Sequence, residues 1–179
     1  MAKLDIITAP DPRLKVKSRP VAKVDDRIRR LMDDMLETMY LAPGIGLAAP
    51  QVGVAERVIV LDLAHEGEPP APYRLANPEY VWVSDEDTTY NEGCLSLPEH
   101  YGDVTRPRAI RVRYLDYQGE IRELAAEGLL ATCIQHEMDH LDGILFVDHM
   151  SALKRNMIPR KLLKARKTGS SASVGATAF

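Results

Sequence analysis

The sequence predicts a soluble, single-domain fold that mixes helices with strands. Three observations carry this: an amphipathic helical stretch over residues 25–40, a hairpin pattern over 110–125, and an apolar helical run from about 127 to 141. The 179 residues can bury a core without disulfide or metal staples. Hydrophobic content of 45% and charged content of 27% are those of an ordinary globular protein. A net charge of −3 supplies no global attraction for nucleic acid, so no specific DNA partner is expected. No apolar run approaches the roughly 18 residues that cross a bilayer, and Met1-Ala2-Lys3-Leu4-Asp5 has no signal-peptide pattern. The expectation is a cytoplasmic protein with no membrane partner, whose Cys94 and Cys133 act as thiols or ligands rather than as a disulfide.

Taken in order, residues 1–24 carry Pro10, Pro12 and Pro20 and read as an extended arm with turns. Ile28, Leu31, Met32, Met35, Leu36 and Met39 then recur at helical spacing, with Arg29, Arg30, Asp33, Asp34 and Glu37 on the other face. Asp25 or Asp26 can cap this helix, and Pro43-Gly44 ends it. The small residues of 44–51 let a backbone approach either a neighbouring strand or a substrate. A short buried strand is expected at 57–61, then a proline-rich loop at 65–72. Residues 73–76 and 79–83 read as two strands broken by Asn77-Pro78, and residues 91–98 interrupt the strand pattern. Ile110, Val112 and Tyr114 alternate with Arg111 and Arg113, and a turn at 116–119 closes the hairpin. The apolar helix follows and stops at Asp142-Gly143. A further helix is expected from Ser151, carrying Lys154, Arg155, Arg160, Lys161, Lys164, Arg166 and Lys167. The Gly/Ser/Ala-rich residues 168–179 are expected to be a disordered tail.

The chemistry concentrates in Gln135-His136-Glu137-Met138-Asp139-His140. Four residues apart on a helix, His136 and His140 project from one face and can grip one divalent cation. Glu137 can sit beside that ion without ligating it, placed to move a water proton. A catalytic metal of this kind takes three protein ligands. The proteases that carry His-Glu-x-x-His find their third ligand downstream, but here Phe146 stands where the long motif has its third histidine. No glutamate follows Glu137. The thiols remain. Cys133 lies on the same helix, which would force all three bonds to approach from one direction. Cys94, on a separate Gly-flanked segment, can close the coordination from the other side, and this geometry favours it. A thiolate ligand suits Zn²⁺ or Fe²⁺ and not Mg²⁺ or Ca²⁺.

The segments Gly44-Ile45-Gly46-Leu47-Ala48-Ala49-Pro50-Gln51, Glu92-Gly93-Cys94-Leu95-Ser96 and Gln135-His136-Glu137-Met138-Asp139-His140 together resemble the three motifs of peptide deformylases, in that order. The likeness extends over about residues 4–165, and no position expected to carry chemistry departs from the pattern. The resemblance implies an α+β fold with antiparallel sheets packed about the motif helix, in a catalytic domain spanning residues 1–167. It implies an enzyme that removes the formyl group from the N-terminal methionine of nascent polypeptides. Cys94, His136 and His140 would be the ligands, with Fe²⁺ the common metal and Zn²⁺, Ni²⁺ or Co²⁺ possible occupants.

On that reading, metal-activated water attacks the formyl carbon, and Glu137 moves the proton. Gln51 and the Leu95 N–H donate to the oxyanion. Leu129, Thr132, Cys133 and His136 share a helix face by their spacing, and the resemblance adds Ile45, Tyr90 and Leu95 around a methionine side chain. The backbone at Gly44, Ile45 and Gly46 could pair with the substrate as an added strand. Glu92 needs a partner in its apolar setting, and Arg108 is the candidate. The basic residues after Ser151 suit docking to the ribosome, as in some family members. Two rivals are weighed: an endopeptidase or other zinc amidase, against which the missing downstream ligand argues, and a structural-metal or translation-binding module, against which the intact Glu137 and Gln51 argue.

Overall fold

The first helix begins where Asp25 accepts the Ile28 N–H at 3.0 Å. Helix α1 (Asp26–Leu41) buries Ile28, Met32, Met35, Leu36 and Met39 as one stripe. The structure, a computed structural model, describes residues 2–150 and Phe179. The helix expected from Ser151 and residues 168–178 of the expected tail lie outside the described residues; Phe179 is described, and it is buried.

The strands in chain order are β1 (Gly46–Ala48), β2 (Val58–Leu61), β3 (Tyr73–Val83), β4 (Asp87–Cys94), β5 (Leu97–Pro107), β6 (Ala109–Leu115) and β7 (Ile121–Glu127). Five form an antiparallel sheet in the order β1-β2-β3-β6-β7, and β4 and β5 form a separate antiparallel pair. Strand β2 is buried on both faces. Val58 and Val60 pack with the stripe of α1, while Ile59 and Leu61 pack with Ile134, Met138 and Leu141 of α2 (Gly128–Leu141). The sheet therefore lies between the two helices. This is the expected α+β architecture, with antiparallel sheets about the motif helix.

Two strand expectations need correction. Residues 73–83 are one strand, because Asn77 and Pro78 are absorbed in an irregularity where the register with β6 shifts between Ala76 and Glu79. Asn77 holds a positive φ of 50°, and its side-chain amide binds the Val21 backbone, accepting the N–H at 2.8 Å and donating to the carbonyl at 2.9 Å. Residues 91–98 do not interrupt a strand either. They complete β4 and turn it directly into β5, which puts Cys94 at a hairpin end.

Helix α2 follows β7 with no connecting loop. Gly128, at φ 62°, makes that change of direction possible, and its N–H donates to Arg108 O at 3.0 Å. The far end of α2 is held by Arg57, which donates to Leu141 O at 3.1 Å and to Asp142 Oδ1 at 3.0 Å, a cation at the negative end of the helix. Gln135 donates to Pro107 O at 2.9 Å and ties the middle of α2 to the end of β5. The motif helix is thus fixed at both ends and at its centre.

The buried carboxylate of Glu56 accepts two bonds from Arg27, at 2.8 and 3.0 Å, and links α1 to the segment before β2. The Arg27 hydrogen bonds hold the Glu56 carboxyl below its ordinary value, against the opposing effect of burial. A depressed carboxyl contributes stability above its unfolded pKa and loses it as pH falls through the folded one. Glu56→Gln should therefore lower stability at pH 7 by on the order of 1 kcal/mol, a discounted figure because the Arg27 side chain is 61% exposed. The gap between variant and parent should close on acidification below about pH 4, as thermal melts across pH would record. A constant gap would show that the ionised carboxylate is not the stabilising form.

Candidate metal centre

Three buried donor residues meet where α2 passes the β4–β5 hairpin. The ligand atoms of Cys94, His136 and His140 all lie within 4.8 Å of one another, with Cys94 Sγ 3.4 Å from His140 Nε2. His136 and His140 stand one turn apart on α2, and Cys94 arrives from a separate element, β4. Cys133 lies elsewhere on the same helix, its thiol 3.8 Å from Ile45 O.

The orientation of His136 is fixed from behind. Its Nδ1 is 2.8 Å from Glu92 Oε1, and a proton shared with that carboxylate leaves Nε2 as a bare lone pair. That Nε2 is buried without a hydrogen-bond partner among the described residues, as are His140 Nδ1 and both carboxylate oxygens of Glu137. Buried polar atoms are nearly always satisfied, so four unpartnered ones on three neighbouring residues of one helix mark a place built for something else. Burial, with Glu137 beside it, pushes the Cys94 thiol up. Burial and the charge of Glu92 push the Glu137 carboxyl well up, and burial lowers both imidazoles. Both would-be anions resist ionising and both bases resist protonating, and a bound cation relieves all four together. The donor set and its electrostatics fit a soft divalent metal.

Glu92 is itself held by Arg106, not by Arg108 as expected from sequence. Arg106 donates from Nε to Glu92 Oε2 at 2.7 Å and from Nη2 to Oε1 at 3.0 Å, and its Nη1 reaches Asp139 Oδ2 at 2.8 Å. Arg108 pairs with Glu86 at the surface. The reason is where the strand ends: Gly102, Val104 and Arg106 face inward from β5, and Arg108, which alternation alone would put on the same face, falls beyond the last strand residue, Pro107. Burial would raise the Glu92 carboxyl, but His136 and Arg106 together bring it below its ordinary value.

Gln51 is buried in the short 3₁₀ turn Ala49–Val52 that follows β1. Its Oε1 accepts the Ala48 N–H at 2.9 Å, which aims Nε2 at Ser96 Oγ, 3.0 Å away, and at Cys94 Sγ, 3.6 Å away. Gly46 lies against Glu137. A Cβ at position 46 would collide with Glu137 Oε2 and come within 2.9 Å of Cys133 Sγ, so the bare backbone here makes room for the carboxylate.

The family model for polypeptide deformylase matches residues 3–156. The chain belongs to the polypeptide deformylase family. It is 59% identical over 167 residues to a peptide deformylase of Phenylobacterium zucineum, covering 93% of this chain and 99% of the relative. It is also 59% identical over 165 residues to one of Methylocella silvestris, covering 90% and 84% of the two chains. The crystal structure of peptide deformylase from Ehrlichia chaffeensis superposes with a TM-score of 0.90 at 42% identity, over 94% of this chain and 99% of that one. The same enzyme in complex with actinonin gives a TM-score of 0.89 at 44% identity, over 93% and 99%.

The remaining expected site residues of this deformylase fold are placed unevenly about the Cys94, His136 and His140 group. Leu129 and Ile45 pack against the apolar cluster that includes Cys133, and Thr132 is buried with its hydroxyl unpartnered. Leu95 touches the space above Gly44. Tyr90 stands apart from that cluster, half-buried on β4 with its hydroxyl 3.6 Å from where a Cβ on Gly128 would be. Arg106, Ser96 and Asp139 join the hydrogen-bonded surroundings without having been singled out from the sequence.

Proposed function

We propose that Cys94, His136 and His140 hold one divalent metal, and that the site removes formyl groups from N-formylmethionyl nascent polypeptides with release of formate. The observation that carries the reading is the meeting of three buried donors from two elements beside a buried carboxylate, Glu137, that has no hydrogen-bond partner among the described residues. Bound there, the metal would supply Lewis acidity, lowering the pKa of a water and polarising the formyl oxygen.

The rest falls to the chain's own groups. Glu137 takes a proton from the attacking water, holds it readily because burial has raised its affinity for protons, and gives it to the departing amine. The water oxygen bonds to the formyl carbon, the carbon–nitrogen bond breaks, and formate and a free amine leave. Gln51 Nε2 and the Leu95 N–H are the donors for the developing oxyanion. Ile45, Leu129 and Cys133 wall the apolar pocket for the methionine side chain, and Gly44 and Gly46 let the substrate backbone come close.

Fe²⁺ is the native ion on this reading, and Zn²⁺, Ni²⁺ and Co²⁺ are admissible to the same thiolate–imidazole set. Residues 1–167 form the catalytic unit, the enzyme works in the cytoplasm, and the basic residues 154–167 dock it to the ribosome. No helix among the described residues is long and apolar enough to cross a membrane. Salt-dependent cosedimentation with ribosomes tests the docking, and binding that survives removal of residues 151–167 would refute it. Anaerobic purification with metal analysis, followed by formate release from a formyl-Met peptide across the four metals, tests the whole. Iron in the purified protein and formate with each admissible ion are expected; no formate with any metal would sink the assignment.

A further inference from the structure

We propose that Phe179 occupies the substrate pocket of its own chain and competes with the incoming methionine, an inference that rests on the pocket assignment above. Phe179 is 1% exposed, although it lies 29 residues in sequence beyond Met150, the previous described residue. Its ring centroid is 5.3 Å from that of His136 at a tilt of 44°. The ring belongs to the apolar cluster of Cys133 and Ile134, against which Ile45 and Leu129 pack. These include the residues assigned to the methionine side chain, so the two side chains exclude each other.

The backbone is engaged as well. The Phe179 N–H donates to Gly93 O at 3.0 Å, and Phe179 O accepts the Leu95 N–H at 3.4 Å. The two bonds bracket Cys94 and continue the motif segment with one paired residue, the way an added peptide strand binds. They also take up the Leu95 N–H, the donor assigned to the oxyanion. Phe179 thus fills the apolar pocket and one catalytic donor position together. Being covalently part of the chain, it competes intramolecularly, with a strength that dilution of the protein does not change. Occupation in this form raises the apparent KM and leaves kcat alone, because saturating substrate displaces it.

The chain has two phenylalanines, Phe146 and Phe179. Labelling the metal-loaded, full-length protein with 4-fluorophenylalanine therefore gives two fluorine resonances, assigned by Phe179→Leu. The resonance of residue 179 is expected at a buried position and should move to that of free fluorophenylalanine when Met-Ala-Ala is titrated. In turnover of a formyl-Met peptide, Phe179→Asp should lower KM by about 2- to 10-fold with kcat unchanged, while Phe179→Leu stays close to the parent. A resonance already at the free position before peptide is added would overturn the proposal. So would one that stays buried at saturating peptide, or a Phe179→Asp variant that loses thermal stability and kcat with KM unmoved, which is the behaviour of a core residue. Absence of formate from every variant would instead remove the deformylase reading, and the fluorine titration would still decide where Phe179 sits.

Discussion

Glu137→Gln is expected to keep its metal and lose about 10²- to 10⁴-fold in turnover. The substitution preserves shape, so the close fit of this side chain against Gly46 survives. What it removes is the capacity to accept a proton. None of the three proposed ligands changes, so metal content measured on the purified variant should match the parent. Stability should move the other way from activity. Both carboxylate oxygens of Glu137 are buried without partners among the described residues, and burying such a group is costly. Replacing it with a neutral amide should leave the melting temperature equal or raise it, the trade expected when a group is kept for chemistry rather than for folding. Formate release within tenfold of the parent, at equal metal content, would mean that a different group carries the proton.

Helices α1 and α2 and the convergence of Cys94, His136 and His140 were legible in the sequence, and the β4–β5 hairpin was not. The stripe of α1 and the His-Glu-x-x-His spacing of α2 are local patterns with a helical period, and a local pattern is enough to place them. The choice of Cys94 over Cys133 rested on the directions from which ligands can approach. In the structure Cys94 comes from a separate strand, with its Sγ beside His140 Nε2. Strand β5 escaped notice because beyond Leu97 its buried positions are Gly102, Val104 and Arg106, of which only Val104 carries an apolar side chain. Without that strand there was no strand end at Pro107 to separate Arg106 from Arg108. The bulge at Asn77-Pro78 failed for a related reason: the residues forbid a regular ladder, yet the tertiary bonds of Asn77 to Val21 carry the strand across them. Phe179 gave no sequence signal, because its partners are set by a site far away in the chain.

Arg106→Met should cost about 3–5 kcal/mol of stability, because it leaves the Glu92 carboxylate buried and unpaired. The Glu92 side chain is 0% exposed and that of Arg106 only 6%, so water cannot substitute for the lost guanidinium. Arg108→Ala is the contrasting case. Its pair with Glu86 is 57% and 76% exposed, and its loss should be worth about 0–1 kcal/mol. Stability alone, however, does not separate packing from an effect on the metal. Glu92 also orients His136 through Nδ1, and losing such an outer partner typically weakens metal binding by about 10- to 100-fold. Removing both charges, as Arg106→Met with Glu92→Leu, should recover most of the stability, since well-packed apolar groups replace buried ion pairs at little cost. The imidazole of the double variant would still lack its acceptor, so its metal affinity, measured by chelator competition, should stay low while its melting temperature rises. Recovery of both together would make the Arg106–Glu92 pair a structural device only; recovery of stability without affinity identifies Glu92 as the residue that positions the ligand, and Arg106 as the one that keeps Glu92 charged.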